Sequence, residues 1–87
     1  MNLNNHEPLA WSEAAGSLQP GRYQHYKGGI YEVLGGARHS ETLEELVVYK
    51  HDGELWVRPL TMFLETVEYN GVRLARFTFI GTNYVTP

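Results

Sequence analysis

The chain has no cysteine in its 87 residues, which removes two ways of holding so small a fold together. Neither a disulfide nor a thiolate metal site is available, so packing must do the work. A chain near this size hides only about 60% of the surface that its unfolded form exposes. No apolar run approaches the roughly 18–20 residues of a membrane-spanning helix. The N-terminus also lacks the basic start and apolar centre of a secretory signal. These features point to a soluble, cytoplasmic protein. Clustered positive charge is missing as well: seven Lys and Arg residues are scattered among ten acids, for a net charge of −3. A phosphate backbone calls for cations gathered in one patch. Non-specific binding to DNA or RNA is therefore argued against, while one nucleotide or one stacked base would need few charges.

What the chain does have is aromatic and β-favouring. The composition is 43% hydrophobic and 13% aromatic, and each aromatic buries about 150–250 Å². Residues 1–20 are interrupted by Asn2, Asn4, Asn5, Pro8, Gly16 and Pro20 and read as a poorly structured N-terminal tail. Within it, residues 11–15 can form one or two helical turns ending at Gly16, and Leu9 and Trp11 are the side chains that could dock. From Gly21 onward the hydrophobic period shortens towards two and turn signals recur, which predicts an all-β domain over 21–87.

Two hairpins can be read with register. Asp52-Gly53 suits a tight type I′ turn, setting His51 opposite Glu54, Lys50 opposite Leu55, Tyr49 opposite Trp56, Val48 opposite Val57 and Val47 opposite Arg58. One face of that ribbon, with Leu46, Val48, Leu55 and Val57, is expected to be core. The other carries Val47, Tyr49, His51, Glu54, Trp56 and Arg58. Asn70-Gly71 is the second turn. It pairs Glu68 with Arg73, Val67 with Leu74, Glu65 with Arg76 and Leu64 with Phe77, and a one-residue slip would spoil all four pairs. Upstream, residues 22–26 and 30–34 read as strands, residues 35–45 as a loop or irregular strand, and Pro59–Phe63 as a single 3₁₀ turn. Five to six short antiparallel strands with one such turn argue for a small SH3-like or Sm-like barrel.

Three blocks, Tyr23–Val33, Ala37–Tyr49 and Trp56–Phe63, carry a resemblance that covers about half the chain. They read Tyr-x-His-Tyr-Lys-Gly-x-x-Tyr-Glu-Val, Ala-x-His-Ser-Glu-Thr-x-Glu-x-x-Val-Val-Tyr and Trp-Val-Arg-Pro-x-x-Met-Phe. The chain resembles an uncharacterised bacterial family of domains of unknown function with these blocks. The resemblance implies an SH3-like β-barrel and carries no activity with it. Many members of that family have a longer turn than Asp52-Gly53 between the second and third blocks.

The chemistry-bearing residues are candidates for metal ligands, catalysts or binding groups. His25, His39, His51 and Glu41 are of the right kind for zinc, but no two of these histidines share a spacing that aims them from one face. His51 beside its turn is expected to be exposed. His39-Ser40-Glu41-Thr42 holds a base, a hydroxyl and a carboxylate, yet consecutive side chains diverge, and such residues readily fix a turn by bonding backbone N–H groups. Lys27-Gly28-Gly29 lacks the spacing of a phosphate loop. No cofactor or metal is implied. Tyr23, Tyr26, Tyr31, Tyr49 and Trp56 exceed what so small a core should absorb, and such rings collect at recognition surfaces. The reading is a small recognition module rather than an enzyme. Its surface is lined by Tyr23, His25, Lys27, His39, Glu41, Tyr49, Trp56 and Arg58, and it takes a small ligand or a protein segment. Two alternatives remain: a homo-oligomer pairing its strand edges, or a small enzyme using His39 or Glu41 as base.

Overall fold

A computed structural model describes residues 10–82, so Leu9 lies outside the described residues. Helix α1 (Glu13–Gly16) precedes the strands β1 (Gly21–His25), β2 (Ile30–Arg38), β3 (Glu45–His51) and β4 (Glu54–Pro59). Helix α2 (Leu60–Phe63) then leads into β5 (Thr66–Tyr69), β6 (Val72–Ala75) and β7 (Phe77–Gly81). Five strands form one antiparallel sheet in the order β4-β3-β2-β1-β7, and β5 with β6 forms a separate ribbon. The protein is all-β, as its sequence predicts. The large sheet is open, however: among the described residues no ladder joins its edges β4 and β7, where a closed barrel was expected.

Turn chemistry sets both hairpins. Asp52 and Gly53 have φ of 53° and 77°, and Asn70 and Gly71 have 54° and 78°. Paired positive φ values are what a type I′ turn requires. The β3–β4 ladder has the expected register throughout, from His51 opposite Glu54 to Val47 opposite Arg58. In the second hairpin Glu68 faces Arg73 and Val67 faces Leu74. Glu65 meets Arg76 just beyond that ladder, through an Arg76 N–H donated to the Glu65 carbonyl and a 2.9 Å side-chain ion pair. The expected Leu64–Phe77 pair does not form. At Arg76 the chain changes sheets, its carbonyl accepting from the Tyr26 N–H, and Phe77 pairs with His25 instead. This crossing creates the seventh strand.

Two further expectations are corrected. Gly35 and Gly36 belong to β2, which continues to Arg38 past a bulge where Leu34 and Gly35 together oppose Val48. The 59–63 segment is one α-helical turn rather than 3₁₀, with the Leu64 N–H donating to the Leu60 carbonyl at 3.0 Å.

The core reverses the expected faces of the β3–β4 ribbon. Val47 is 0% exposed and Tyr49 is buried, whereas Leu55 and Val57 are 64% and 59% exposed. Both faces are apolar, so alternation could not choose between them. The choice is made by α2, whose buried Leu60 and Phe63 pack with Tyr23, Val33, Val47, Tyr49 and Phe77. Phe63 stacks on Phe77 at 4.3 Å and meets Tyr23 edge-on at 5.1 Å.

Part of the N-terminal segment is anchored. Ser12 caps α1 and donates from both its N–H and its hydroxyl to the Glu45 carboxylate, at 2.8 and 2.7 Å. Those bonds pull the Glu45 pKa below its ordinary value. Trp11 lies against Arg38 with 4.4 Å from guanidinium to ring, and Arg38 donates to the Ala10 carbonyl.

Candidate functional site

Cross-strand partners and residues two apart along a strand share one side of a sheet. The observed registers therefore place His25, Tyr31, Tyr49, His51, Trp56, Arg58 and Phe77 on the face that α2 also packs against. Phe77 is the hub. The His25 and Tyr31 rings both meet it edge-on at 5.0 Å, and the Arg58 guanidinium lies 5.1 Å above it and 5.8 Å from Tyr49. Tyr31 stacks flat on His51 at 3.9 Å. Tyr26 lies against His25 at 4.6 Å, and Lys27 reaches to 5.7 Å from the Tyr26 ring.

The polar atoms of this cluster are mostly donors. The Ile30 carbonyl lies 3.0 Å from His51 Nδ1 and can only accept, so that nitrogen carries the proton. His25 Nδ1 accepts the Lys27 backbone N–H at 3.1 Å, which in the neutral ring leaves Nε2–H as the donor. Burial lowers the His25 pKa from its ordinary value of 6.5, and the nearby charges of Arg58, Arg76, Lys27 and His51 lower it further. Arg76 is tied to Glu65, with its Nε buried and without a hydrogen-bond partner among the described residues. Arg58 has no carboxylate partner among them. A groove of about 340 Å³ opens beside His25, lined also by Tyr26, Leu74, Ala75 and Thr78.

Of the expected lining residues, His25, Tyr49, Trp56 and Arg58 share one face of the sheet and Lys27 follows the end of β1 beside His25, but two of the expected rim tyrosines are interior. Tyr23 and Tyr49 are core residues. The Tyr23 hydroxyl donates to the Gln19 carbonyl at 2.8 Å, while burial pushes its pKa up. Tyr49 offers the cluster only a ring to support Arg58. Trp56, on the edge strand, is half exposed and donates Nε1–H to the His51 carbonyl at 3.2 Å.

His39 and Glu41 do not belong to this site. They follow the far end of β2, eight residues and about 25 Å of strand beyond Tyr31. His39 Nδ1 accepts the Glu41 and Thr42 backbone N–H groups at 3.1 and 3.3 Å, and Thr42 Oγ1 accepts that of Glu44. The segment is a self-bonded loop with exposed side chains, the turn-fixing role its composition allows.

His51, Arg76 and Phe77 are the members that sequence reasoning missed, and Tyr31, named among the surplus rings, was left out of the lining. The β3–β4 register already set His51 on the face of Tyr49 and Arg58, and that was the available signal. Arg76 and Phe77 had none, because their placement depends on the chain changing sheets. Among the described residues no group of three or more His, Asp or Glu converges as metal ligands do, and none of their helices is long and apolar enough to cross a membrane.

Comparison with known proteins gives a family and a fold. The crystal structure of a protein belonging to DUF1653 from Bordetella bronchiseptica is similar with a TM-score of 0.73 at 37% identity, over 84% of this chain and 97% of that one. No curated protein matches the chain. The model of the family described as protein of unknown function (DUF1653) matches residues 21–79, and the chain belongs to that family.

Proposed function

We propose that this protein is a small recognition module that binds an anion-bearing ligand at the cationic, aromatic end of its sheet. One observation carries the reading: Arg58 is held over Tyr49 and Phe77 with no carboxylate to neutralise it among the described residues. A guanidinium is a five-donor fork suited to carboxylate or phosphate, and here aromatic rings pre-orient it. Lys27 and the His25 Nε2–H add donors, and Trp56 supplies exposed flat area for the rest of the ligand. On this reading residues 1–20 are an appendage to the binding domain at 21–87. The open five-stranded sheet with its separate hairpin is a relative of the SH3-like barrel. The fold stands without disulfides, as a reducing cytoplasm requires.

Phenyl phosphate, which joins an anion to a ring, tests the reading in an amide and side-chain NMR titration. Expected are shifts at His25, Arg58 and the Trp56 indole, and a loss of affinity of about tenfold in Arg58→Gln, the size of one charge-assisted hydrogen bond. No shift at these residues, or equal affinity in the folded variant, would refute it.

A further inference from the structure

We propose that β4 pairs antiparallel with β4 of a second copy of this chain, across a two-fold axis at Trp56. The inference rests on the edge of the sheet and goes beyond the ligand reading. Among the described residues β4 has a ladder on one side only, with β3. The outer edge is therefore a row of backbone donors and acceptors, the feature that templates pairing with another strand.

Hydrogen-bond alternation fixes which groups are available. In a two-residue hairpin the residues flanking the turn bond to each other, here His51 and Glu54. Alternation then aims the backbone groups of Glu54, Trp56 and Arg58 at β3 and leaves those of Leu55 and Val57 pointing outward. Antiparallel self-pairing centred on Trp56 sets Leu55 against Val57 of the second copy, and Val57 against its Leu55. Each pair exchanges two hydrogen bonds. Trp56 meets its own copy at a position without backbone bonds, where side chains approach most closely and aromatic pairs gain most.

The side chains select the same register. Glu54 falls opposite Arg58 of the second copy and Arg58 opposite its Glu54, two opposite-charge pairs from one axis. Moving the axis to Leu55 pairs Glu54 with a tryptophan and pushes Val57 against the Gly53 turn. Moving it to Val57 pairs Leu55 with Pro59, which has no N–H to give. In the Trp56-centred register Pro59 lies just outside the bonded pairs and costs nothing. Leu55 and Val57, the most exposed large apolar residues among those described, then cover each other on the face opposite α2.

Sedimentation equilibrium of the full chain tests this, in chloride buffer free of phosphate and sulfate because a bound anion would compete for Arg58. The expected result is a reversible dimer within a range of about 10 µM to 1 mM. Glu54→Arg and Arg58→Glu each bring like charges together and should weaken it about tenfold or more, while the double swap E54R/R58E recovers most of the loss. Val57→Pro removes an outward N–H without touching the β3 ladder and should give a folded monomer, with folding checked by circular dichroism. A wild-type chain that is monomeric throughout, or a folded double swap no better than its single variants, overturns the proposal. Either result leaves the anion titration to be judged by itself.

Discussion

His25 carries a titratable ring into a neighbourhood of Arg58, Arg76, Lys27 and His51, and that makes stability depend on pH. Its folded pKa lies below the ordinary 6.5, so the unfolded chain takes up the proton first as pH falls. Stability contributed by the neutral ring is complete above about pH 6.5. It drains away on acidification between that value and the lower folded one, and below that His25 adds no further slope. Urea unfolding midpoints measured across this window should fall with pH in the wild type and fall less in His25→Gln. Equal slopes would show that the ring is not differentially protonated. The proposed ligand and the proton would be linked at the same residue. On the proposed reading an anion beside His25 favours its charged form, so benzenesulfonate, whose charge stays fixed across this range, should bind more tightly as pH falls below 6.5. Residue types alone leave burial open: Arg58, Lys27 and His25 carry donors wherever they sit, whereas tyrosine's mixed character could not say that Tyr23 and Tyr49 would face inward.

At the scale of elements, turns and glycines govern the outcome, and they do so by two different physical routes. Gly71 sits in the left-handed region with φ of 78°, and a Cβ added there meets nothing within 4 Å. Gly71→Ala should therefore cost only the backbone penalty, about 1–2 kcal/mol. Gly21, at φ of 144°, is crowded: a Cβ would lie 2.6 Å from the Gly81 carbonyl oxygen and 2.8 Å from the Phe79 ring. Gly21→Ala adds that collision to the strain and should cost more, prying β7 from β1. Denaturant titrations of both variants give the comparison, and a Gly21→Ala cost no greater than that of Gly71→Ala would contradict the packing described. The same physics explains what could be read in advance. Asp52-Gly53 and Asn70-Gly71 determine turn type, and a two-residue turn dictates register, so the β3–β4 hairpin was legible to the residue pair and the second one as far as Glu65 and Arg76, beyond which Phe77 leaves for β1. The buried face of the β3–β4 ribbon was not, because Leu55 and Val57 look as much like core as Val47 and Tyr49. What broke the tie was Phe63, which arrives from the next element. The glycine pair 35–36 looked like a loop because nothing in the sequence announces that a bulge can absorb the extra residue and let β2 continue.

For the whole molecule, the consequence of an open sheet is that its two edges must be held by packing where a closed barrel would use hydrogen bonds. Helix α2 is built for this. Leu60 continues directly from β4 at one edge, and Phe63 stacks on Phe77 of β7 at the other while touching Tyr23 of β1 between them. A chain of this length is expected to be stable by about 4–13 kcal/mol. Truncating a fully buried aromatic costs about 3–5 kcal/mol, so Phe63→Ala should consume a large share of the total. Met62, one residue earlier but half exposed, should tolerate alanine within about 0.5 kcal/mol. The distinguishing signature lies in where protection is lost. If α2 bridges the sheet, amide hydrogen exchange in Phe63→Ala should accelerate in β4 and β7 together, though these strands share no ladder, with the β5–β6 ribbon less affected. Acceleration confined to one edge would mean that the two sides of the sheet are stabilised independently, and that the contact of Arg58 from one edge with Phe77 from the other, on which the proposed anion site rests, is held by something other than this helix.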